Sequence, residues 1–584
     1  MGLISPRLPD LDYDEWDRKP LMERIKPMAQ DWAEGGFGTP DAVLFLYVLK
    51  LALYAVGAAA VAALTPGIGG LGDVGDWWTE PIFFQKVVIF TLLFEVLGLG
   101  CGFGPLTLRF LPPVGAPLHW LRPGTIRLPP WPDQVPLTAG TTRSMTDVAL
   151  YLAVVLSALW LLFSPGQGPG VGTIEPLRFL PLFVFLGLIG LRDKTIFLAA
   201  RTEVYGTLAL MFFFSGADLI VGLKLIVVLI WWGAAFSKLN QHFPHVVAVM
   251  MSNSPVLRAK AIKRRFHRDF PDDLRPGKLS ERLAHGGTVI EFGVPLVLLL
   301  SNGGWLTTVA AIVMIAFHLQ ILTSLPMGVP LEWNVFMIFA IGFLFVENAD
   351  VAVSDMSHPV LVLALVLAAG AVVVTGNFYP KQFSFLPSMR YYAGNWATSL
   401  WCLTPEAIAK IDGSVVKVAQ LPSAQLERLY DADMAKALSH KVYAFRSMHT
   451  HGRALFGLVP RACDEAPDTV SSRYAIHDGE FVAGISLGWN FGEGHLHNEQ
   501  LLAALQERCG FESGEVRVVM LESQRFFDPR QEYRIVDGAV GEIERGVVKV
   551  ADMLERQPWA GEIPTYDVVV TPASSTPAPR RQPG

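Results

Sequence analysis

The chain has 584 residues, 51% hydrophobic and 17% charged, with a mean hydropathy of +0.37. That is too apolar for an ordinary soluble protein and specifies a polytopic α-helical membrane protein with a soluble portion. The net charge of -6 shows no basic excess, which argues against nucleic acid as a main partner, and the scattered Cys101, Cys402, Cys463 and Cys509 form neither a disulfide framework nor a thiolate metal site.

Residues 1–40 form a polar N-terminal segment in which Asp10, Asp12, Asp14, Glu15 and Asp17 precede Arg18, Lys19, Arg24 and Lys26. No charged start feeds a short apolar run with a small-residue cleavage site, so the first span is expected to act as an uncleaved signal. Trp16 and Trp32 either seat the segment on lipid headgroups or pack on the protein.

Residues 41–376 read as a transmembrane helical domain of about ten spans, judged against the roughly 20 apolar residues that cross a bilayer. They fall at 41–64, 81–100, 145–163, 177–191, 195–214, 219–236, 283–300, 305–322, 331–346 and 359–376. Those starting at Leu177 and Leu331 are short, as broken or re-entrant helices would be. The loops 65–80, 164–176, 215–218, 301–304 and 347–358 contain no lysine or arginine. Alternate loops carry Arg109, Arg122, Arg127 and Arg143, then Arg192, Lys194 and Arg201, then Lys260, Lys263, Arg264, Arg265 and Arg268. The positive-inside rule therefore places both termini in the cytoplasm of a plasma-membrane protein. The proline-rich loop 106–144, with Trp120 and Trp131, is expected to lie along the interface, and the basic loop 256–279 to contact anionic lipids.

Rare ionisable side chains within the spans are functional candidates. An apolar run from Gly222 ends at Lys238, with Asn240, His242 and His245 close behind, and Glu95, Arg201, Glu203, His285, Glu291 and His318 fall at a similar depth toward the inner leaflet. Two readings are open. In one, these groups form ion pairs that hold the bundle, Lys238 with Glu291 for example. In the other, they line a polar cavity open to the inner leaflet, with Lys238 as base, His318 as its catalytic partner, and Glu95, Arg201, Glu203, Asn240, His242, His285 and Glu291 binding a lipid-like or quinone substrate. Lys50 and Lys224 read as structural.

GAAFSKLN at Gly233 to Asn240, the HGGTVIEFGVPLVLLL helix and AFHLQILTS at Ala316 to Ser324 resemble the membrane core of the vitamin K-dependent carboxylase and its bacterial relatives, the HTTM proteins. The resemblance implies an HTTM-like core in which Lys238 stands for the family's catalytic lysine and Phe317 with His318 for its later pair. Ser237 replaces the first lysine of the family pattern, and Asn240 its aspartate. Over its whole length the chain resembles an actinobacterial family of multi-pass transmembrane proteins, a domain of unknown function. That likeness is carried by NFYPKQFSFLPSMRYYAGNWATSLW from Asn377 and VDGAVGEIERGVVKV from Val536.

After the last span, residues 377–403 read as an aromatic interfacial junction, 404–570 as a soluble α+β domain and 571–584 as a disordered tail. Periodicity predicts a helix at 423–448, strands at 481–488 and 515–521, a helix at 497–509, and strands over 534–550 around an Asp537-Gly538 turn. His449 with His451, and His495 with His497 beside Glu493 and Glu499, give two HxH pairs, a weak metal signal against the commoner exposed loop histidine. No metal site or cofactor is assigned. The expected function is that of an intramembrane enzyme or binder acting on a quinone or lipid, the alternatives being a lipid-transport accessory or a scaffold whose C-terminal domain docks protein partners.

Overall fold

The computed structural model describes residues 3–100, 115–168, 170–324 and 331–571. The 325–330 connection, the first part of the 106–144 loop with Arg109, and the tail beyond Thr571 lie outside them.

Among the described residues, six helices are long and apolar enough to cross a membrane: Asp41–Ala63, Met145–Leu162, Gly216–Ser237, Lys278–Leu300, Gly304–Ser324 and Pro359–Phe378. The remaining apolar tracts are helical but shorter or interrupted. Pro81–Val96 has 16 residues, a 3-10 turn at Pro176–Phe179 leads into Leu180–Arg192, and Leu331–Ala340 runs into a π-helical stretch, Ile341–Glu347. The tract expected as one span over 195–214 is broken instead. Lys194–Ala199 ends before Arg201, which adopts left-handed backbone (φ 52°, ψ 47°), and a π-turn at Thr202–Gly206 restarts the helix. Periodicity is blind to such a break, because Arg201 is held there by partners far along the chain.

Gly216–Ser237 is the central helix, 78% of its apolar window being buried, against 22% in Asp41–Ala63 and 17% in Pro359–Phe378. The outer helices present Phe45, Val48, Leu53, Val360 and Leu367 outward. Such rows of bare apolar side chains are stable against hydrocarbon and unstable against water.

The loops sort onto two faces. On one, Lys224 donates to the Val351 carbonyl (2.7 Å), His358 bonds Asp218 (2.8 Å) and the Ile174 N–H reaches Gln85 (2.8 Å). On the other, the lysine- and arginine-bearing loops all bond the C-terminal part: Trp120 to the Leu487 carbonyl, Gln500 to the Pro129 carbonyl, Lys194 to the His495 carbonyl and Leu274 to Gln557. The N-terminal segment docks there too, Arg24 donating to Ser471 and Lys441 pairing with Asp31. Trp16 and Trp32 are therefore not headgroup anchors. Leu21–Gly35 buries Ile25, Met28 and Trp32, whose indole donates to the Val249 carbonyl at 3.1 Å.

The loop 256–279 contributes a small hairpin of β1 (His267–Asp269) and β2 (Asp273–Pro276). The C-terminal sheet has six antiparallel strands: β3 (Thr398–Leu403), β4 (Ala475–Asp478), β5 (Val516–Leu521), β6 (Arg530–Asp537), β7 (Gly541–Lys549) and β8 (Tyr566–Val570). Their spatial order is β4-β3-β5-β6-β7-β8. The β6–β7 turn forms where expected, Asp537 accepting from Ala539 and Val540. β3 lies inside the stretch expected as an interfacial junction. All six of its residues are buried, so it lacks the alternation that marks a half-exposed strand.

Two further expectations differ. Residues 481–488 are not a strand but part of the helix Gly479–Leu487, capped by Asp478 and closed by left-handed Gly488; a short apolar run suits either state, and the caps decide. The helix expected over 423–448 is two, Pro422–Leu429 and Ala432–Met448, because Asp431 caps the second.

Candidate functional site

The ionisable groups of the spans find one another. Lys238 ends the central helix and places Nζ 2.5 and 2.6 Å from the two Glu291 carboxylate oxygens. His318 accepts a hydrogen bond from the Trp231 indole at Nε2 (3.0 Å) and meets the Asn334 side-chain oxygen through Nδ1 (2.8 Å). With both nitrogens engaged, the ring is a neutral core histidine that donates from Nδ1. Arg201 bonds Glu203 at 2.7 Å, lies over the Trp333, Tyr391 and Phe491 rings, and Tyr391 donates to the same carboxylate at 3.0 Å. Glu95 is buried beside Gly100, whose carbonyl accepts from Lys50, and Lys50 pairs with Glu332 at 3.1 Å. Glu332 had no sequence signal beyond its charge.

The remaining candidates do other work. The Asn240 oxygen accepts the His242 and Phe243 N–H groups, starting the helix Phe243–Asn253. His242 bonds Thr450 at 2.5 Å and Gln524 at 2.8 Å, and burial pushes its pKa down to about 4, so a neutral ring joins the membrane part to the sheet. His285 is exposed on the outside of its helix.

Of the HxH histidines, His449, His451 and His497 are buried and His495 is half-buried, and their nitrogens bond different partners. His451 accepts from the Arg446 guanidinium at 3.0 Å, His449 donates to the Phe445 carbonyl, His497 bonds Ser399 at 2.6 Å, and His495 bonds Glu522 at 3.1 Å. Burial lowers both His449 and His497 to about 3. Among the described residues no group of three or more His, Cys, Asp or Glu side chains could hold a metal ion.

A cavity of about 1430 Å³ opens between the membrane helices and the sheet. None of the nine candidates from the spans lines it. One wall is apolar: Phe183, Val184, Gly187, Leu188 and Leu191, one face of the helix Leu180–Arg192. The opposite wall carries Glu532 and Arg534 of β6, Glu542 and Arg545 of β7, and Glu522, His495, His497 and Asn498, and Trp131 of the proline-rich loop lines it too, half exposed. At the corner between the walls, Lys194 donates to the His495 carbonyl at 2.9 Å, and burial pushes its ammonium down to about 8. Burial works to raise Glu522, but the His495 ring and the Ser523 N–H hold it below the usual carboxylate range. Such a space exceeds the common 300–1,000 Å³ range of small-molecule pockets and combines a hydrocarbon-like wall with a hydrogen-bonding one.

Fold and site thus define an integral membrane protein whose apolar helices carry a six-stranded sheet on one face, with an amphipathic cavity between the two. The chain belongs to the family described as "Transmembrane protein of unknown function (DUF3556)", whose model matches residues 1–568. Neither a curated protein nor a solved structure matches it.

Proposed function

We propose that this protein binds a lipid-like amphiphile, of lipid or quinone type, in the cavity between the helix Leu180–Arg192 and the sheet. The observation that carries the reading is the pairing of walls: five apolar positions of a membrane-level helix face hydrogen-bonding groups of a soluble sheet across one continuous space. A molecule leaving the bilayer keeps its chain in contact with apolar surface while its polar end finds donors and acceptors. The lysine- and arginine-bearing loops share a face with the sheet, which supports a cytoplasmic sheet, ten crossings and an inner-leaflet cavity mouth in the plasma membrane. Catalysis at Lys238 and His318, as the HTTM resemblance implies, has less behind it, since Glu291 closes the ammonium and Trp231 and Asn334 occupy the imidazole.

Gly187 supplies the test. A Cβ there meets nothing within 4 Å, so Gly187→Trp places an indole in the cavity without disturbing the core. Lipid extracts of the purified wild type should contain a bound amphiphile that the variant lacks at an unchanged melting temperature. Identical extracts would overturn the proposal.

A further inference from the structure

We propose that the amphiphile carries an anionic oxygen head, a phosphate or a carboxylate, and that Lys194 holds that head. The inference rests on the reading of the cavity given above and names its ligand class.

Four lysine and arginine side chains line the cavity, and three already face a carboxylate. Lys381 meets Glu532 at 2.5 Å, Arg534 meets Glu499, and Arg545 stands 3.8 Å from Glu542. Lys194 differs. Its ammonium donates to one carbonyl, that of His495, and among the described residues no carboxylate stands within ion-pair distance of it. An ammonium has three donors, so two remain for a ligand. Glu493, Asp193 and Glu499 favour the half-buried ammonium only from beyond ion-pair distance, so an arriving oxyanion supplies a direct charge contact and the missing acceptors. Beside it, His495 turns Nε2 to Glu522, and its Nδ1 has no hydrogen-bond partner among the described residues. That nitrogen is a second contact for a hydroxyl of the head.

Position supports the same choice. Lys194 follows directly on the helix Leu180–Arg192, whose apolar face from Phe183 to Leu191 runs for about 12 Å at 1.5 Å per residue. A head at Lys194 therefore lays its chain along that face. A small soluble anion would leave the apolar wall wet, and a quinone brings no anionic oxygen to the ammonium.

The full-length protein in detergent micelles is titrated with three fluorescent probes of equal chain length: a phosphatidic acid, a fatty acid and an uncharged diacylglycerol. One or both acidic probes should bind the wild type; Lys194→Met and Lys194→Gln should weaken them at least tenfold, Lys194→Arg should restore them, and diacylglycerol binding should not respond. Loss of the phosphatidic acid response alone identifies a phosphate head, and loss of the fatty acid response alone a carboxylate. Gly187→Trp should abolish binding of every probe. Unchanged acid binding in folded Lys194 variants, with Gly187→Trp still blocking, would overturn the head assignment and leave the cavity reading standing. If no probe binds the wild type, or Gly187→Trp changes nothing, both fail.

Discussion

Breaking the Lys238–Glu291 pair should destabilise the helix layer more than deleting it. Both side chains are nearly excluded from solvent, at 9% and 5% exposure, and each carboxylate oxygen is within 2.6 Å of Nζ. At that separation, with an effective dielectric constant near 20, the attraction is about 6 kcal/mol. Dehydrating each ion costs several kcal/mol, so the pair as a whole is close to neutral in stability. Removing one partner leaves the other dehydrated and unmatched, a loss of about 3–5 kcal/mol. Lys238→Met and Glu291→Leu should each therefore lower stability by that amount, whereas the double variant should recover most of it. Reversible unfolding of all four proteins in mixed micelles completes a double-mutant cycle, with an expected coupling above about 2 kcal/mol. Additive losses would refute the pairing. Single variants as stable as wild type would show that Lys238 is free for another task, as catalysis there requires.

Acid should loosen the junction of membrane part and sheet. His242, His267 and His477 are buried and lowered to about 4, chiefly by desolvation, while in the unfolded chain they titrate near 6.5. The unfolded state then binds more protons between those values, so stability should fall from about pH 6.5 to pH 4, by up to about 1.4 kcal/mol per unit for each ring, and level off below. Tryptophan fluorescence across that range reads this directly, and a flat profile would contradict the burial of these rings. Orientation is open to cysteine labelling: exposed Ser354→Cys should react with a membrane-impermeant maleimide in intact cells, and exposed Arg258→Cys only after permeabilisation. The reverse pattern would overturn a cytoplasmic sheet.

Particular residues show how far a linear reading reaches. Lys238 and Glu291 are 53 positions apart, yet matching depth on neighbouring apolar tracts made their pairing one of two legible outcomes. The cavity offered no such handle. Its corner joins Lys194 to His495 across 301 positions; Lys194 carries no local motif, and the HxH pair that contains His495 pointed to a metal rather than to a lysine. A lysine between two apolar tracts is a weak hint, as is the polar alternation of Glu532 and Arg534, and nothing in the spacing says that the two face each other. β3 and the helix Gly479–Leu487 escape periodicity for a related reason: short runs buried along their whole length have no alternation to read.

Composition and hydropathy by themselves determined a membrane protein with apolar helices, connecting loops that bear lysine and arginine on alternate turns of the chain, and a more polar part after the last helix. Those properties are sums over neighbours in the chain, and the free energy of moving a segment into hydrocarbon depends on little else. Only the tertiary structure decided which charges cancel, which histidines are sealed in the core, and where a space remains. Each of those outcomes depends on distances between elements that the chain brings together from far apart.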